Sequence, residues 1–366
     1  MEVVEVCVPK RERNRIAAQY GTIPDSHFAL VVIRAEGLVG VGEASTERWW
    51  TGEDAASVRH AVQDFLAPVL VGDSPGIREA TARMNASVVG HPYAKAAVEV
   101  ALWDLLGKAS GKPVRTLLGG SEDPEEARIP IKYVIGIGEE DHLRREVEFG
   151  RELGFRHFKS KVGHGLGEDL ARIATIRDAL APGETIGVDA NAGWSLITAM
   201  QALGPLEELG VLFLEQPVAP TLEAGMAALT ARSSIPIVAH ESIFTVADGL
   251  RAATAALAHV WALTPSTHGG IWPTVELLAI AGAAGIPCLL GSNIELGVST
   301  AMMTQIGAAF EEIRNCPVAS DVIGPLYHED DIVVTQPRIA DGHIHVPAGP
   351  GLGVELDWDK VSHYRR

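Results

Sequence analysis

The chain has 366 residues, with 47 acidic against 30 basic side chains, a formal net charge of −17 and a pI near 5.2. That balance excludes nucleic acid and anionic membrane as partners, because both present like charge. The longest apolar run, residues 277–290, is interrupted by Gly282, Gly285 and Pro287 and is too short to span a bilayer, whereas the length suffices for a barrel of about 250 residues plus a smaller domain.

Residues 1–125 read as an α+β unit. Residues 3–8 form a short strand, and residues 27–34 pair with 39–43 across Glu36-Gly37, a hairpin signal. Helical patterns follow over 53–70, 76–88 and 93–110, the last ended by Gly111 and Pro113. Strands followed by helices mark a unit separate from the repeat that comes next. The N-terminus, with Glu2 and Glu5, carries no basic-then-apolar leader, and Cys7, Cys288 and Cys316 are far apart without metal spacing. Both features fit a cytoplasmic, reducing setting.

From residue 129 strands alternate with helices. Strands are expected at 129–136, 157–162, 185–191, 212–217, 235–241, 259–266 and 287–293, with a short eighth at 315–319; helices include 139–153 and 169–180. This alternation predicts a (β/α)8 TIM-type barrel over 126–320, in an α/β fold class with the N-terminal α+β unit beside it. A C-terminal segment, 321–366, holds a possible hairpin at 332–346.

The second barrel strand reads Phe158-Lys159-Ser160-Lys161-Val162. Alternate residues share one face of a strand, so the two lysines point together into an apolar setting. Burial and mutual repulsion lower an ammonium from ~10.4 toward neutrality, where it can act as a base; solvated lysines on an edge strand are the alternative. Three apolar runs downstream each end in an acid: Val188-Asp189, Leu214-Glu215 and His240-Glu241 after Val238-Ala239. The steps from Lys161 are 28, 26 and 26 residues, about one strand, one helix and two loops each. In a barrel all these strand ends meet at one mouth. Three carboxylates there suit a hard cation, Mg²⁺ or Mn²⁺, and a neighbouring lysine can remove a proton α to a carboxylate while the cation holds the ene-diolate. Gly163-His164-Gly165-Leu166-Gly167 lacks the spacing of a dinucleotide site and reads as a flexible loop.

Together with Ala101-Leu102-Trp103-Asp104, Glu215-Gln216-Pro217 and Pro350-Gly351-Leu352-Gly353, the Lys-x-Lys strand makes nearly the whole chain resemble the enolase superfamily, within it the muconate-lactonising (muconate cycloisomerase) subgroup. The resemblance implies that residues 1–125 are a capping domain onto which the C-terminal segment folds back. It implies Lys161 as general base or acid, Lys159 holding the substrate carboxylate and depressing its neighbour's pKa, and Asp189 and Glu215 as metal ligands, with Asn191 orienting substrate or ligand. It further implies a small-molecule carboxylate substrate and a homo-oligomer. Loops 15–25, with Tyr20, and 45–52, with Trp49 and Trp50, would close over the mouth and set substrate choice; paired tryptophans in a polar loop otherwise pack between domains or subunits.

Two departures from the subgroup carry weight. Its fifth strand ends Asp-Glu-Ser, the Asp being the third metal ligand, where this chain has His240-Glu241-Ser242. Either Glu241 takes over, as a Glu does in the mandelate racemase subgroup, leaving His240 as substrate contact, proton carrier or structural residue, or His240 binds the metal and shifts preference away from Mg²⁺. The subgroup's strand-six lysine falls at Thr264, which is no base at neutral pH. A two-base epimerase then needs His268 or His240 as substitute, whereas one-base cycloisomerisation or β-elimination survives. On strand seven Asn293 lies near a position where mandelate racemase relatives keep a histidine, and Glu295 is either a proton donor, a contact for a cationic group or a helix N-terminal charge. The readings are therefore a one-base cycloisomerase or dehydratase, an amino-acid or dipeptide epimerase, or a catalytically silent binding relative.

Overall fold

The computed structural model describes residues 1–14, 24–123 and 127–366. Strands β1 (Glu2–Pro9), β2 (Asp25–Ala35) and β3 (Leu38–Ser45) form an antiparallel sheet in that order. Glu36 and Gly37 both take left-handed backbone, φ 51° and 81°, the two-residue turn whose twist matches the strands it joins. Along the sheet the pleat divides the side chains. Ala29, Val31 and Ile33 face the N-terminal helices, and Phe28, Leu30 and Val32 enter the core shared with the barrel. The helix Pro92–Ser110 seats so closely on β3 that a Cβ on Gly42 would lie 1.9 Å from the Ala97 carbonyl oxygen.

The helix expected over 53–70 is regular only for Ala55–Ala61, started by an Asp54/Ser57 capping box; it widens into a π turn over Val62–Leu66 and tightens into 3-10 geometry over Ala67–Val69. Pro68 explains the break, since it has no N–H for the ladder.

The barrel consists of seven parallel strands, β5 (Tyr133–Ile135), β6 (His157–Lys161), β7 (Thr185–Asp189), β8 (Leu214–Glu215), β9 (Ile237–Ala239), β10 (Val260–Leu263) and β11 (Cys288–Leu290), in sequence order. Two expectations need correction. The first strand is split: β4 (Arg128–Pro130) turns away to pair antiparallel with β13 (His343–His345), itself in a hairpin with β12 (Ile339–Ala340). No eighth strand forms over 315–319, because the helix Glu311–Arg314 ends immediately before it, in the cap at Asn315, and Pro317, which has no N–H for a ladder, follows in a bend. Closure comes from the next two residues instead. Ser320 N–H donates to Pro130 O, Lys132 N–H donates to Ser320 O, and Asp321 N–H donates to Leu290 O.

The expected boundary at 125/126 falls on residues outside those described. From the C-terminal segment Leu352 N–H donates to buried Asp104 Oδ1 at 2.9 Å, and Arg365 bridges to Val6. No helix among the described residues is long and apolar enough to cross a membrane.

His328 lies buried edge-on to Phe28, ring centroids 5.5 Å apart. Burial, with Lys10 and Arg11 near, pushes its imidazole down to about 3, from 6.5. Below pH 6.5 the unfolded chain takes up a proton that the folded chain refuses, so stability is full above 6.5 and falls as the pH drops toward the folded value. The urea midpoint should decline from pH 6.5 to pH 4.5, His328 contributing up to about 1.4 kcal/mol per pH unit. His328→Gln should flatten the decline; an equally steep decline in that variant would remove His328 as its cause.

Candidate active site

The strand ends gather one hydrogen-bonded network. Lys159, 3% exposed, sends its ammonium to Asp321 Oδ2 at 2.8 Å, Glu215 Oε2 at 3.1 Å and Asp189 Oδ2 at 3.4 Å. Lys161, two residues on along the same face, donates to Asp189 Oδ2 at 2.6 Å and Asn191 Oδ1 at 2.8 Å. Asn191 Nδ2 then donates to Glu241 Oε1 at 3.0 Å. His240 joins through Nδ1 to Glu215 Oε1 and through Nε2 to Thr264 Oγ1, both 2.9 Å. Asn191, Ala192 and Gln216 carry positive φ of 41°, 62° and 34°. Non-glycine residues hold such backbone only where their surroundings fix it, and such positions cluster at functional sites.

The electrostatics overturn one expectation. Burial disfavours the Lys159 ammonium, but Asp321, Glu215 and Asp189 outweigh it and hold it well above the ordinary lysine range. A lysine pair in a bare apolar strand would have moved the other way; the three carboxylates reverse the sign. Glu215 is burial-penalised as well, yet Lys159 and His240 keep it well below the usual carboxylate range. His240 is raised, burial opposing and Glu215 prevailing. Glu241 is raised by burial and by Asp189, against the pull of His240.

The remaining candidates divide. Trp50 sets its ring edge-on to His240, centroids 4.7 Å apart. Trp49 points away, 47% exposed, with the Arg48 guanidinium 4.7 Å over its ring. His268 is buried, and both ring nitrogens are engaged inside the protein: Nε2 accepts from Thr264 N–H and Nδ1 meets Phe244 O; burial pushes the imidazole down to about 4, against the opposing pull of the Phe244 carbonyl. Asn293 donates to the Tyr93 hydroxyl at 2.7 Å, and Glu295 accepts from Ser292 Oγ and Asn293 N–H within its own loop. Tyr20 lies outside the described residues.

Residues 1–119 match the family description Mandelate racemase / muconate lactonizing enzyme, N-terminal domain, and residues 142–360 match Enolase C-terminal domain-like. The chain belongs to the mandelate racemase/muconate lactonizing enzyme family of the enolase superfamily. Within that family the chloromuconate cycloisomerase CbnB of Cupriavidus necator is 32% identical, over 97% of this chain and 95% of its own. The solved 2-chloromuconate cycloisomerase of Rhodococcus opacus 1CP superimposes with a TM-score of 0.93 at 32% identity, covering 100% of this chain and 99% of that one. An N-succinyl Arg/Lys racemase of Bacillus cereus superimposes with a TM-score of 0.92 at 27% identity, covering 99% and 96%. This chain is an enzyme of the superfamily, with the capped-barrel architecture these relatives share.

The donor set fits a hard divalent cation of the kind the sequence suggested. Asp189, Glu215 and Glu241 come from three successive strands, and Glu241 Oε2 is buried without a hydrogen-bond partner among the described residues. Among those residues no three acidic, histidine or cysteine side chains already converge on one point; Lys159 lies between Asp189 and Glu215. His240 has no nitrogen free of a partner, which favours Glu241 over His240 as third ligand. A histidine bonded to a ligand's second oxygen is the usual outer support of a metal carboxylate.

Two site residues escaped the sequence reading, Asp321 and Lys132. Asp321 follows Val318-Ala319-Ser320, a two-residue apolar run separated from the acid by a serine and preceded by Pro317, so it lacks the apolar-run-then-acid signal of the other strand ends. Lys132 sits in Ile129-Pro130-Ile131-Lys132-Tyr133, a lysine inside an apolar run like Lys159, and is 0% exposed.

Proposed function

We propose that this enzyme is a divalent-metal-dependent cycloisomerase of muconate-like diacids working with a single lysine acid/base. The observation that carries the reading is the pairing of Lys161 with Asp189 and Asn191 beside Glu241, while the position opposite, Thr264, holds only a hydroxyl tied to His240. Asp189, Glu215 and Glu241 would hold Mg²⁺ or Mn²⁺. Such a cation, when bound, supplies positive charge against the carboxylate whose α-carbon reacts.

The chain's own residues do the rest. One carboxylate oxygen of the diacid adds to the conjugated double bond, closing the lactone and pushing the electron pair toward the other carboxylate as an ene-diolate. The Lys161 ammonium, held at 2.6 Å by Asp189 Oδ2 and at 2.8 Å by Asn191 Oδ1, delivers a proton to the α-carbon; in the reverse direction the amine takes it back. Lys159, held charged by three carboxylates, orients the acid rather than exchanging protons. Trp50 over His240 excludes water from that side. Racemisation needs a second acid/base group across the substrate, and Thr264 does not supply one.

The test is ¹H NMR of cis,cis-muconate in D₂O with the Mg²⁺- or Mn²⁺-loaded protein, then after chelation. Lactone carrying one deuterium α to the carboxylate, lost with the metal and restored by adding it back, is the expected result. Turnover unchanged by chelation would remove the metal from the reading. Inversion of an N-acyl amino acid with α-exchange, and no lactone, would replace it with the epimerase reading.

A further inference from the structure

A cleft of about 460 Å³ opens at the seam between the capping unit and the barrel, directly behind Trp50. Its walls come from the capping unit, through Thr81, Met84, His91 and Lys95, and from the barrel, through Phe244 and His268. The volume lies within the range of small-molecule pockets, about 300–1,000 Å³.

Trp50 belongs to both spaces. One side of its indole lines the cleft, while its ring also lies edge-on to His240, 4.7 Å between centroids, and 5.9 Å from Phe244. His268 is shared in the same way: it lines the cleft and accepts from Thr264 N–H, and Thr264 Oγ1 meets His240. One indole thus stands between the reacting network and a second void.

The cleft is also chemically dressed. Met84, Phe244 and Pro273 give it apolar wall, and Lys95 and His91 also belong to its lining. Lys95 Nζ spends one hydrogen on Val88 O at 2.8 Å. His91 Nδ1 is buried without a hydrogen-bond partner among the described residues; the Glu53 carboxylate stands 3.8 Å away, too far for a hydrogen bond. His91 itself takes left-handed backbone, φ 53°, immediately before the helix Pro92–Ser110, a strained placement for a non-glycine residue.

We infer that Trp50 is the partition that limits substrate length, and that the cleft behind it is a latent subsite for the arm of a longer carboxylate ending in an oxygen acceptor, either a second carboxylate or an amide carbonyl. With the indole in place the site takes compact acids. With it removed, apolar arm atoms gain the Met84 and Phe244 walls, and a terminal oxygen gains Lys95. The inference rests on the proposed carboxylate chemistry for its substrate class, but not for the geometry of the wall.

The experiment is calorimetric titration of the Mg²⁺-loaded protein with adipate, suberate and sebacate, in wild type, Trp50→Ala and Trp50→Ala/Thr81→Phe. Wild type should bind adipate best and weaken with length. Trp50→Ala should reverse that order, with sebacate gaining about tenfold or more, since each added buried methylene contributes about fourfold. Thr81→Phe refills the cleft from the far wall and should cancel the gain. An unchanged length ranking in Trp50→Ala, or a gain that survives Thr81→Phe, overturns the inference. Should the alanine variant not fold, Trp50→Leu serves with a smaller expected gain.

A crystal structure of the Trp50 variant decides the matter independently of any ligand. One continuous void from His240 to Met84 is expected; closure by Phe244 or a collapsed loop overturns it. If wild type binds no diacid of any length, the muconate-like reading falls, while the void alone still decides the partition.

Discussion

Replacing Lys161 by alanine should cut cis,cis-muconate turnover and α-deuteration by about 10²–10⁴-fold, the usual contribution of a positioned acid/base group. The fold should survive, since Lys161 is about one-fifth exposed and its ammonium is bonded, among the described residues, to Asp189 Oδ2 and Asn191 Oδ1. Alanine alone does not separate proton transfer from charge, because it also leaves Asp189 without its nearest cation. Lys161→Arg makes the separation. Arginine keeps a positive charge within reach of Asp189 but does not give up a proton at neutral pH. It should therefore hold Asp189 as wild type does and yet fail to turn over. Single-turnover NMR with the three proteins, at matched Mg²⁺, reads this directly. Arginine activity within a few-fold of wild type would mean that Lys161 acts as a charge, and a different group would have to carry the proton.

Some parts of this site were readable in the sequence and others were not. Strand ends were, because the barrel repeats one unit: an apolar run, then an acid, at intervals of 28, 26 and 26 residues. Lys159, Lys161, Asp189, Glu215 and Glu241 all fall on that pattern, and the structure joins them in one network. Side-chain electrostatics were less readable. From the strand alone one ammonium of the Lys159/Lys161 pair should lose its proton readily, yet at Lys159 the partners that reverse the sign come from β7, from β8 and from Asp321, at 30, 56 and 162 residues' remove. Charge balance at a barrel mouth is a property of closure, not of any one strand.

The same reason hid barrel closure itself. No run of β-formers marks the eighth position, since Ser320 and Asp321 make the joining bonds from an irregular backbone. Polar residues in the loop after β11 have partners that the sequence does not show. Asn293 and Glu295 have types suited to catalysis, but the nearby donors Ser292 and Asn293 N–H occupy the Glu295 carboxylate, and the Tyr93 hydroxyl from the capping helix occupies Asn293. Local sequence does not reveal a partner supplied 200 residues away. His268 is similar: its spacing before Gly269 drew attention, while its ring braces Thr264 and the Phe244 carbonyl.

Lys132→Met should be among the most destabilising single changes in the barrel, costing about 3–5 kcal/mol, the usual loss when one member of a buried ion pair is removed. Lys132 is fully buried, donates to the Ala319 carbonyl and stands 3.2 Å from Asp321 Oδ1, while the other Asp321 oxygen accepts from Lys159 at 2.8 Å. Burial disfavours its charge, and Asp321 opposes that. Methionine matches the stem but leaves Asp321 Oδ1 and the Ala319 carbonyl in a dry interior with no donor in their place. Asp321→Asn should cost a similar amount for the converse reason, since two buried ammoniums then share no carboxylate. The two changes together should cost clearly less than the sum of the singles, because each removes the group that the other leaves unpaired. Urea midpoints for the four proteins complete the cycle. The Asp321 variant carries a second readout, since Lys159 loses its shortest bond and with it the constraint that keeps the ammonium away from Lys161. Divalent-ion affinity should therefore change in Asp321→Asn more than in Lys132→Met, whose effect is confined to the floor below. Strict additivity of the singles would mean that Lys132 and Asp321 are not coupled.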